Sequence, residues 1–167
     1  MPESRLTFSQ LLGPKTNWIL EVGSYHGLST RLMLEAAPHA SVVCVDTWQD
    51  QPRFGHFHQF ETFIASCWQY RHRIVALKGD SRVLLPQLVE ARFRPDLVYV
   101  DGDHEMPVVA EDVFNALRFP GARVIGDDYD FREFPAVVGA VHAVALRQEP
   151  AREVRNNGRC WDLGVNP

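Results

Sequence analysis

Two short stretches of the sequence gather carboxylates and an imidazole directly after apolar runs. Residues 101–104 read DGDH, and residues 126–129 read GDDY. Crowding like charges in one place is unfavourable unless a cation or strong hydrogen-bond donors compensate it. Three carboxylates from two strand ends, completed by water and substrate oxygens, would suit an octahedral Mg²⁺ ion. The competing interpretation is that these aspartates cap the following turns and face solvent.

A third stretch, EVGSYHGLST at residues 21–30, carries two spaced glycines. Gly23 and Gly27 let the backbone turn tightly and approach a ligand, and a helix that follows offers free N–H groups. A dinucleotide fingerprint would need glycine where Tyr25 and Leu28 stand. An acidic residue followed by G-x-x-x-G favours a nucleoside with a cationic amino-acid tail, whose ammonium a carboxylate can hold. A purely structural turn is the alternative.

Two further acidic positions follow apolar runs. Asp46 ends the second run, where a carboxylate can accept both hydroxyls of a ribose, although a turn or cap role competes. Asp80 and Ser81 follow the third run. They would either meet the edge of an adenine or act as a helix N-cap.

These residues need a scaffold, and the sequence supplies one by alternating short apolar runs with amphipathic stretches five times. This alternation is typical of α/β proteins. The predicted strands are Trp18–Val22, Ser41–Asp46, Ile74–Lys78, Leu97–Asp101 and Arg123–Gly126. The predicted helices are Leu28–Ala37, Phe57–Tyr70, Arg82–Ala91, Pro107–Leu117 and Phe134–Arg147. Pro86 is expected to delay the regular part of the third helix.

The chain is expected to end in an antiparallel hairpin. Two strand-like runs, Arg152–Asn156 and Arg159–Leu163, flank Asn157-Gly158, which is a strong hairpin signal. Parallel strands joined by right-handed crossovers form a doubly wound sheet, and such sheets bind ligands at the carboxyl ends of their strands. The candidate residues above all lie at those ends.

Composition narrows the function classes. With 167 residues the chain is long enough for one domain, residues 1–167, with its own core. Its 17 basic and 21 acidic residues give a net charge of −4 without a basic cluster, which argues against nucleic acid as a partner. Three scattered cysteines without a CxxC pair fit a reducing cytoplasm. The absence of an apolar leader and of any apolar run near ~20 residues predicts a soluble, unexported protein without a membrane partner.

Taken together, the motifs resemble a known family. EVGSYHGLST, VCVDTW, GDS, LVYVDGDHE and GARVIGDDY, in this order, are similar to the class I S-adenosylmethionine (SAM)-dependent methyltransferases, in particular the macrocin-type and other small-molecule O-methyltransferases. The resemblance runs from about residue 18 to residue 129 and more loosely through the hairpin. It implies a Rossmann-like, seven-stranded, mostly parallel sheet with an antiparallel C-terminal strand and helices on both faces.

The resemblance also implies roles for individual residues. The implied cofactor-binding residues are Glu21, Gly23, Ser24, Tyr25, Gly27, Ser29, Asp46, Thr47, Asp80, Ser81 and Asp101. The implied ligands of a divalent metal, Mg²⁺ by preference, are Asp101, Asp127 and Asp128. His104 stands where a metal-dependent relative such as catechol O-methyltransferase has a lysine base, and imidazole titrates close enough to neutral pH to replace it. A loop histidine fixed by Asp103 or by a backbone carbonyl is the alternative for His104.

The expected reaction is methyl transfer from SAM to a hydroxyl of a small molecule such as a sugar, a phenol or a natural product. A dication at the aspartates would bind that hydroxyl and lower its pKa, while His104 accepts the proton and Asp101 belongs to the catalytic pair with it. Three alternatives stay open: an NAD-dependent oxidoreductase, a metal-dependent hydrolase, and a non-catalytic cofactor-binding module on the same fold.

Acceptor recognition is expected from segments outside the sheet. Thr47–His58 mixes aromatics, Pro, Gly and two histidines and could form a lid. Trp48 within it would pack either on the cofactor or in the core. Tyr129–Phe134, or a neighbouring subunit in a homo-oligomer, are the other sources.

Overall fold

Seven strands alternate with helices along the computed structural model, which describes residues 8–167. The strands are β1 (Trp18–Val22), β2 (Ser41–Asp46), β3 (Ile74–Lys78), β4 (Leu97–Val100), β5 (Arg123–Gly126), β6 (Arg155–Asn157) and β7 (Cys160–Val165). The longer helices are α1 (Leu28–Ala36), α2 (Gln59–Cys67), α3 (Ser81–Glu90), α4 (Val108–Ala116) and α5 (Pro135–Leu146). Short 3₁₀ turns cover Pro52–Phe54 and Trp68–Arg73. Much of the N-terminal segment in which a leader would lie, residues 1–7, is outside the described residues.

The strands form one sheet in the order β3-β2-β1-β4-β5-β7-β6. Strands β1 to β5 are parallel, and β7 pairs antiparallel with both β5 and β6. Strands β2 and β3 follow on one side of β1, and β4 and β5 follow on its other side, so the strand order reverses between β1 and β4. The carboxyl ends of β1 and β4 thus frame the crevice where such sheets bind ligands. The predicted doubly wound sheet with an antiparallel last strand is confirmed.

Apolar side chains leave the sheet on both faces. Along β1, Leu20 and Val22 pack into a cluster with α3, α4 and α5, while Ile19 packs into a second cluster with α1 and α2. This alternation follows from the two-residue period of a strand. It explains why the central strands β1, β2 and β4 are almost continuously apolar, and it confirms that helices cover both faces. No helix within residues 8–167 is long and apolar enough to cross a membrane.

The terminal hairpin is present, but its turn lies one residue later than predicted. Asn157 pairs with Cys160, so the loop consists of Gly158 and Arg159 rather than Asn157 and Gly158. Gly158 has φ +64°, the sign that a type II′ turn requires at its first central residue, where glycine is favoured. The expected Asn-Gly turn is therefore wrong in register, and β6 begins at Arg155 instead of Arg152.

The prediction that Pro86 delays α3 is also wrong, because the helix runs from Ser81 through Pro86 to Glu90. A proline at this position removes one backbone hydrogen bond. Asp80 caps the first turn by accepting the backbone N–H of Arg82 at 2.9 Å, which stabilises the helix before the proline. The second predicted helix ends earlier than expected, at Cys67, and continues as a 3₁₀ turn.

Candidate active site

Glu21, near the end of β1, has a fully buried carboxylate that hydroxyl groups hold. It accepts hydrogen bonds from Ser24 Oγ at 2.6 Å, from Ser29 Oγ at 2.5 Å and from Thr30 Oγ1. Burial raises the pKa of Glu21, and these hydrogen bonds oppose the rise. The carboxylate fastens β1 to the first turn of α1. It would influence a ligand through Ser24 and Ser29, which line the second of the two cavities described below.

The two glycines of this turn are required by packing of the protein itself. Gly23 has φ +85°, and a Cβ there would lie 2.0 Å from the backbone oxygen of Asp101. Gly27 has φ +82°, and a Cβ there would lie 2.4 Å from Cys67 Sγ on α2. Gly23 also borders both cavities, whereas the close neighbours of Gly27 belong to α2.

Asp46, at the end of β2, joins the first two loops of the sheet edge. Its Oδ2 accepts the backbone N–H of Tyr25 at 2.8 Å, and its Oδ1 accepts that of Trp48 at 2.6 Å. Trp48 Nε1 in turn donates to the Tyr25 carbonyl at 2.8 Å. Trp48 is buried and packs on Phe60 and Phe63, so it belongs to the core. Both loops are thereby held in place around the Asp46 carboxylate.

A cavity of about 290 Å³, here called the Asp46 cavity, opens beside this carboxylate. The structure brings five of the predicted cofactor residues into its wall: Gly23, Asp46, Thr47, Asp80 and Ser81. Val22, Val45 and Val108 give it an apolar part. A cavity with carboxylates and an apolar wall can hold a molecule that is partly a flat ring and partly hydroxylated.

Asp80 serves as the N-cap of α3, one of the two roles that the sequence left open. Besides the backbone hydrogen bond described above, it accepts Arg82 Nη2 at 2.6 Å and Nε at 3.0 Å. The Arg82 side chain lowers the pKa of Asp80. Although Asp80 lines the cavity, its carboxylate is already used by Arg82.

Asp112 on α4 is a wall residue of the Asp46 cavity that the sequence motifs did not reveal. Only 1% of it is exposed, and its Oδ1 has no hydrogen-bond partner among the described residues. Burial raises its pKa to about 6, although a Ser81 hydrogen bond opposes the rise. The sequence could have pointed to Asp112, because it falls on the same helix face as the apolar residues Val109 and Ala116, where a carboxylate is unusual.

The predicted acidic residues meet at the ends of β4 and β5. Tyr99 Oη donates a hydrogen bond to Asp101 Oδ2 at 3.3 Å and approaches Asp127 Oδ2 at 3.5 Å. Burial, and then the charges of Asp127 and Asp128, raise the pKa of Asp101 well above its usual value. Burial also raises the pKa of Asp127. Negative charge is therefore under-compensated at this point, as a cation site requires.

Asp128 is the best compensated of these carboxylates. Its Oδ2 lies 2.6 Å from His104 Nε2, and its Oδ1 accepts Arg159 Nη2 at 2.5 Å. Burial raises the pKa of Asp128, but the hydrogen bonds from His104 and Arg159 outweigh it and bring the pKa below the usual value. The same contact raises the pKa of His104. Arg159 lies in the hairpin turn, and no sequence signal connected it with Asp128.

The ligand atoms of Asp101, His104 and Asp128 lie within 4.8 Å of one another and could hold a metal ion. The predicted third carboxylate, Asp127, is beside this group, and its Oδ1 accepts the backbone N–H of Asp128 at 2.8 Å. We call these four residues the strand-end cluster. The structure thus brings all three predicted metal ligands and the predicted base together.

The strand-end cluster lines a second cavity of about 360 Å³, the Asp101 cavity. Its opposite wall comes from the β1 turn and α1, including Tyr25, Ser24, Ser29 and Leu32. Because Gly23 borders both cavities, they adjoin at the end of β1. A molecule lying across Gly23 would touch both.

A mostly parallel sheet with adjoining cavities at its switch point defines an α/β protein whose ligand sites would lie at this edge of the sheet. The family follows from the sequence match: residues 20–129 fit the model of a methyltransferase domain. The chain belongs to this family, and the resemblance inferred from the motifs is confirmed. No curated protein matches the chain.

Solved structures share the fold at low sequence identity. The O-methyltransferase TomG from Streptomyces achromogenes, in complex with SAM, superposes with a TM-score of 0.72 at 19% identity, covering 99% of this chain and 80% of TomG. The O-methyltransferase from Bacillus cereus, in complex with SAH, gives 0.73 at 16% identity, covering 100% and 82%. MycE methyltransferase from the mycinamycin biosynthetic pathway, in complex with Mg, SAH and mycinamycin VI, gives 0.63 at 13% identity, covering 99% of this chain and 49% of MycE.

Proposed function

We propose that this protein is a SAM-dependent O-methyltransferase that methylates a hydroxyl of a small molecule, assisted by a divalent cation. The observation that carries the proposal is the adjoining position of the two cavities at Gly23, with the strand-end cluster in the wall of one of them. The SAM and SAH complexes of TomG and the Bacillus cereus enzyme support the choice of cofactor.

The residues of the Asp46 cavity fit a nucleoside. Each oxygen of Asp46 accepts one backbone N–H and retains a lone pair, so the carboxylate can also accept two ribose hydroxyls. Gly23, Ser24 and Ser29 would line the methionine end, toward the Asp101 cavity. SAM would supply a methyl group on a sulfonium. The chain's task is to hold that group in line with the acceptor oxygen.

Within the strand-end cluster, Asp101 and Asp127 fit a hard divalent cation, because their donors are carboxylate oxygens whose charge the protein leaves under-compensated. The Mg in the MycE complex supports this choice. Bound there, the cation would lower the pKa of the acceptor hydroxyl. An Nε2 that binds a cation cannot also take a proton. We therefore assign the cation to Asp101, Asp127 and Asp128, and keep His104 as the base.

His104 must be neutral to accept a proton. Asp128 raises its pKa, so the imidazolium form persists to higher pH while the two side chains are paired. Turnover should therefore rise as the pH increases from about 6 to 8, the range in which an imidazole of raised pKa deprotonates.

The proposal is tested by incubating the protein with SAM, Mg²⁺ and a panel of sugars, catechol-like phenols and natural-product glycosides, and measuring SAH. We expect SAH together with an O-methylated product. Asp127→Asn and Asp128→Asn should each slow turnover about 100-fold while the Kd for SAM changes little, because they remove cation ligands rather than cofactor contacts. Glu90→Gln, which neutralises an exposed carboxylate at the end of α3, is the matched control.

Each part of the proposal has its own contrary result. Absence of SAM binding, or binding of NAD in its place, would exclude the cofactor. SAM binding without transfer to any acceptor would indicate a cofactor-binding module. Turnover that Asp127→Asn, Asp128→Asn and a chelator all leave unchanged would exclude the cation. The single domain, the cytoplasmic location and a homo-oligomer stay predictions.

A further inference from the structure

Asp112 lines the Asp46 cavity and has a carboxylate oxygen without a hydrogen-bond partner among the described residues. It projects from α4 on the helix face that packs into the apolar core with Val109 and Val113. It is 1% exposed, yet it belongs to the cavity wall. Ser81 supplies one side-chain hydrogen bond to the carboxylate, and Oδ1 has no partner among the described residues.

The other carboxylates of the same cavity are engaged by the protein. Asp80 is held by the Arg82 guanidinium, and Asp46 accepts two backbone N–H groups. Asp103 accepts the backbone N–H of Glu105 at 2.7 Å. Asp112 therefore retains an acceptor oxygen that no described group uses.

A buried acceptor without a donor destabilises a protein unless a ligand satisfies it. Gly102 has no Cβ and so leaves room for this carboxylate. A Cβ at that position would lie only 3.3 Å from Asp112 Oδ2. The terminal torsion of an aspartate is broad, so either oxygen can turn toward the cavity. The complementary ligand group is an N–H donor in the part of the cavity that Asp112 borders.

We propose that Asp112 accepts a hydrogen bond from the exocyclic amino group of the cofactor's adenine and so selects a 6-amino over a 6-oxo purine. The inference rests on the proposed function. With the ribose at Asp46, the apolar wall of Val22, Val45 and Val108 receives the flat base, and Asp112 and Ser81 meet its polar edge. Asp80, expected from the sequence to border the adenine, keeps its ion pair with Arg82. A 6-oxo group would place one acceptor against another.

Isothermal titration with S-adenosylhomocysteine and S-inosylhomocysteine tests the proposal without requiring an acceptor. The wild-type protein should bind the adenosyl compound about 100-fold more tightly, because a site built around one hydrogen-bond pattern rejects the opposite pattern. In Asp112→Asn the amide can donate to a 6-oxo group or accept from a 6-amino group, so the preference should fall below about tenfold. Asp112→Ala should lose adenosyl affinity by about tenfold or more.

Two controls separate this role from a structural one. Glu111→Gln neutralises the exposed neighbour of Asp112 on the same helix and should leave the preference unchanged. Asp80→Asn should weaken the binding of both compounds by the same factor, because it disturbs the start of α3. If Asp112→Ala does not fold, Asp112→Asn still decides, since the preference is a ratio that stability does not set.

The outcomes are distinguishable. Failure of the wild-type protein to bind the adenosyl compound would overturn the proposed function as well as this inference. Adenosyl binding with the same preference in wild type and Asp112→Asn would overturn the role of Asp112 alone. Loss of the preference in Asp80→Asn instead would assign the adenine to Asp80.

Discussion

Carboxylates at the carboxyl edge of the sheet differ in what compensates their charge. Hydroxyls hold Glu21, backbone N–H groups hold Asp46, and a guanidinium holds Asp80. Asp101 faces other carboxylates, and Asp112 keeps an oxygen without a partner among the described residues. A compensated carboxylate organises the loops around it. An uncompensated one costs stability in the free protein and is available to a ligand.

The stability cost of Asp112 can be measured. Its pKa is about 6 in the folded protein and near 3.8 in the unfolded chain, so above pH 6 the fold carries a charge that it disfavours. Asp112→Asn should therefore stabilise the ligand-free protein at pH 8, by at most about 3 kcal/mol from the size of that shift. At pH 4 most of the difference should be gone, since the carboxyl is protonated in the folded state and partly protonated in the unfolded state.

Urea denaturation of both variants at the two pH values checks this expectation, with Glu111→Gln as the control that should change little. An equal stability difference at pH 4 and pH 8 would show that the amide acts by something other than its missing charge.

At the scale of elements, the strands could be predicted closely from the sequence. Strands β1, β2, β3 and β5 begin and end where the apolar runs do. For β1, β2 and β5 this follows because a strand covered on both faces is largely apolar, whereas β3 is an edge strand without a fully buried residue. The candidate residues at the strand ends followed from the same logic, since parallel strands bring their carboxyl ends to one edge.

What the sequence could not predict depends on contacts between distant segments. The ion pair of Arg159 with Asp128 joins the hairpin turn to the end of β5 across 31 positions. Helix α3 keeps Pro86 because its cap and packing outweigh one lost hydrogen bond. The turn at Gly158 moved by one residue because the pairing of Asn157 with Cys160 decides which residues form the loop. Local propensity determines none of these.

Helix packing also explains why residue 27 is a glycine. The sequence suggested that Gly27 lets the backbone approach a ligand, but its close neighbours belong to α2. Gly27→Ala should destabilise the protein by about 2 kcal/mol or more, because it adds left-handed strain at φ +82° to a clash 2.4 Å from Cys67 Sγ. In a Cys67→Ala background the contact with Sγ is removed, while those with Ser66 Oγ at 3.0 Å and Phe63 Cδ2 at 3.1 Å remain. Gly27→Ala should therefore cost less stability there than in the wild type, which a double-mutant cycle measures.

Gly139→Ala is the matched control for this comparison. Gly139 lies inside α5, and a Cβ added there would meet nothing within 4 Å, so alanine should stabilise the helix by about 0.5–1 kcal/mol. A Gly27→Ala cost that Cys67→Ala leaves unchanged would assign the effect to backbone strain and to the contacts with Ser66 and Phe63 rather than to Cys67.

At the scale of the whole molecule, the carboxylates whose charged form the fold disfavours are concentrated at one edge of the sheet. Raised pKa values belong to Glu21, Asp101, Asp112 and Asp127, all at or beside the carboxyl edge of the sheet. Each of these groups binds its proton more tightly in the folded than in the unfolded state. Their contribution to stability therefore falls as the pH rises above about 4.

Three further groups, His104, Asp80 and Asp128, also affect how the stability of the fold depends on pH. The raised pKa of His104 means that its pairing stabilises the fold below about pH 6.5 and that this stabilisation is lost at higher pH. The lowered pKa values of Asp80 and Asp128 act in the opposite sense, since their stabilisation is present above about pH 4 and lost below it. The free protein should thus be most stable in mildly acidic solution.

Saturating Mg²⁺ should oppose this loss of stability at higher pH if the cation binds the strand-end cluster. The cation competes with protons for the carboxylates, so its stabilisation grows as the pH rises, and the midpoint of thermal unfolding should fall less between pH 5 and pH 8, or rise. Sodium chloride at the same ionic strength separates binding from screening, and Asp127→Asn with Asp128→Asn should abolish the Mg²⁺ effect. A free protein that becomes more stable from pH 5 to pH 8 would contradict the charge distribution, whereas an Mg²⁺ effect that survives both substitutions would place the cation elsewhere.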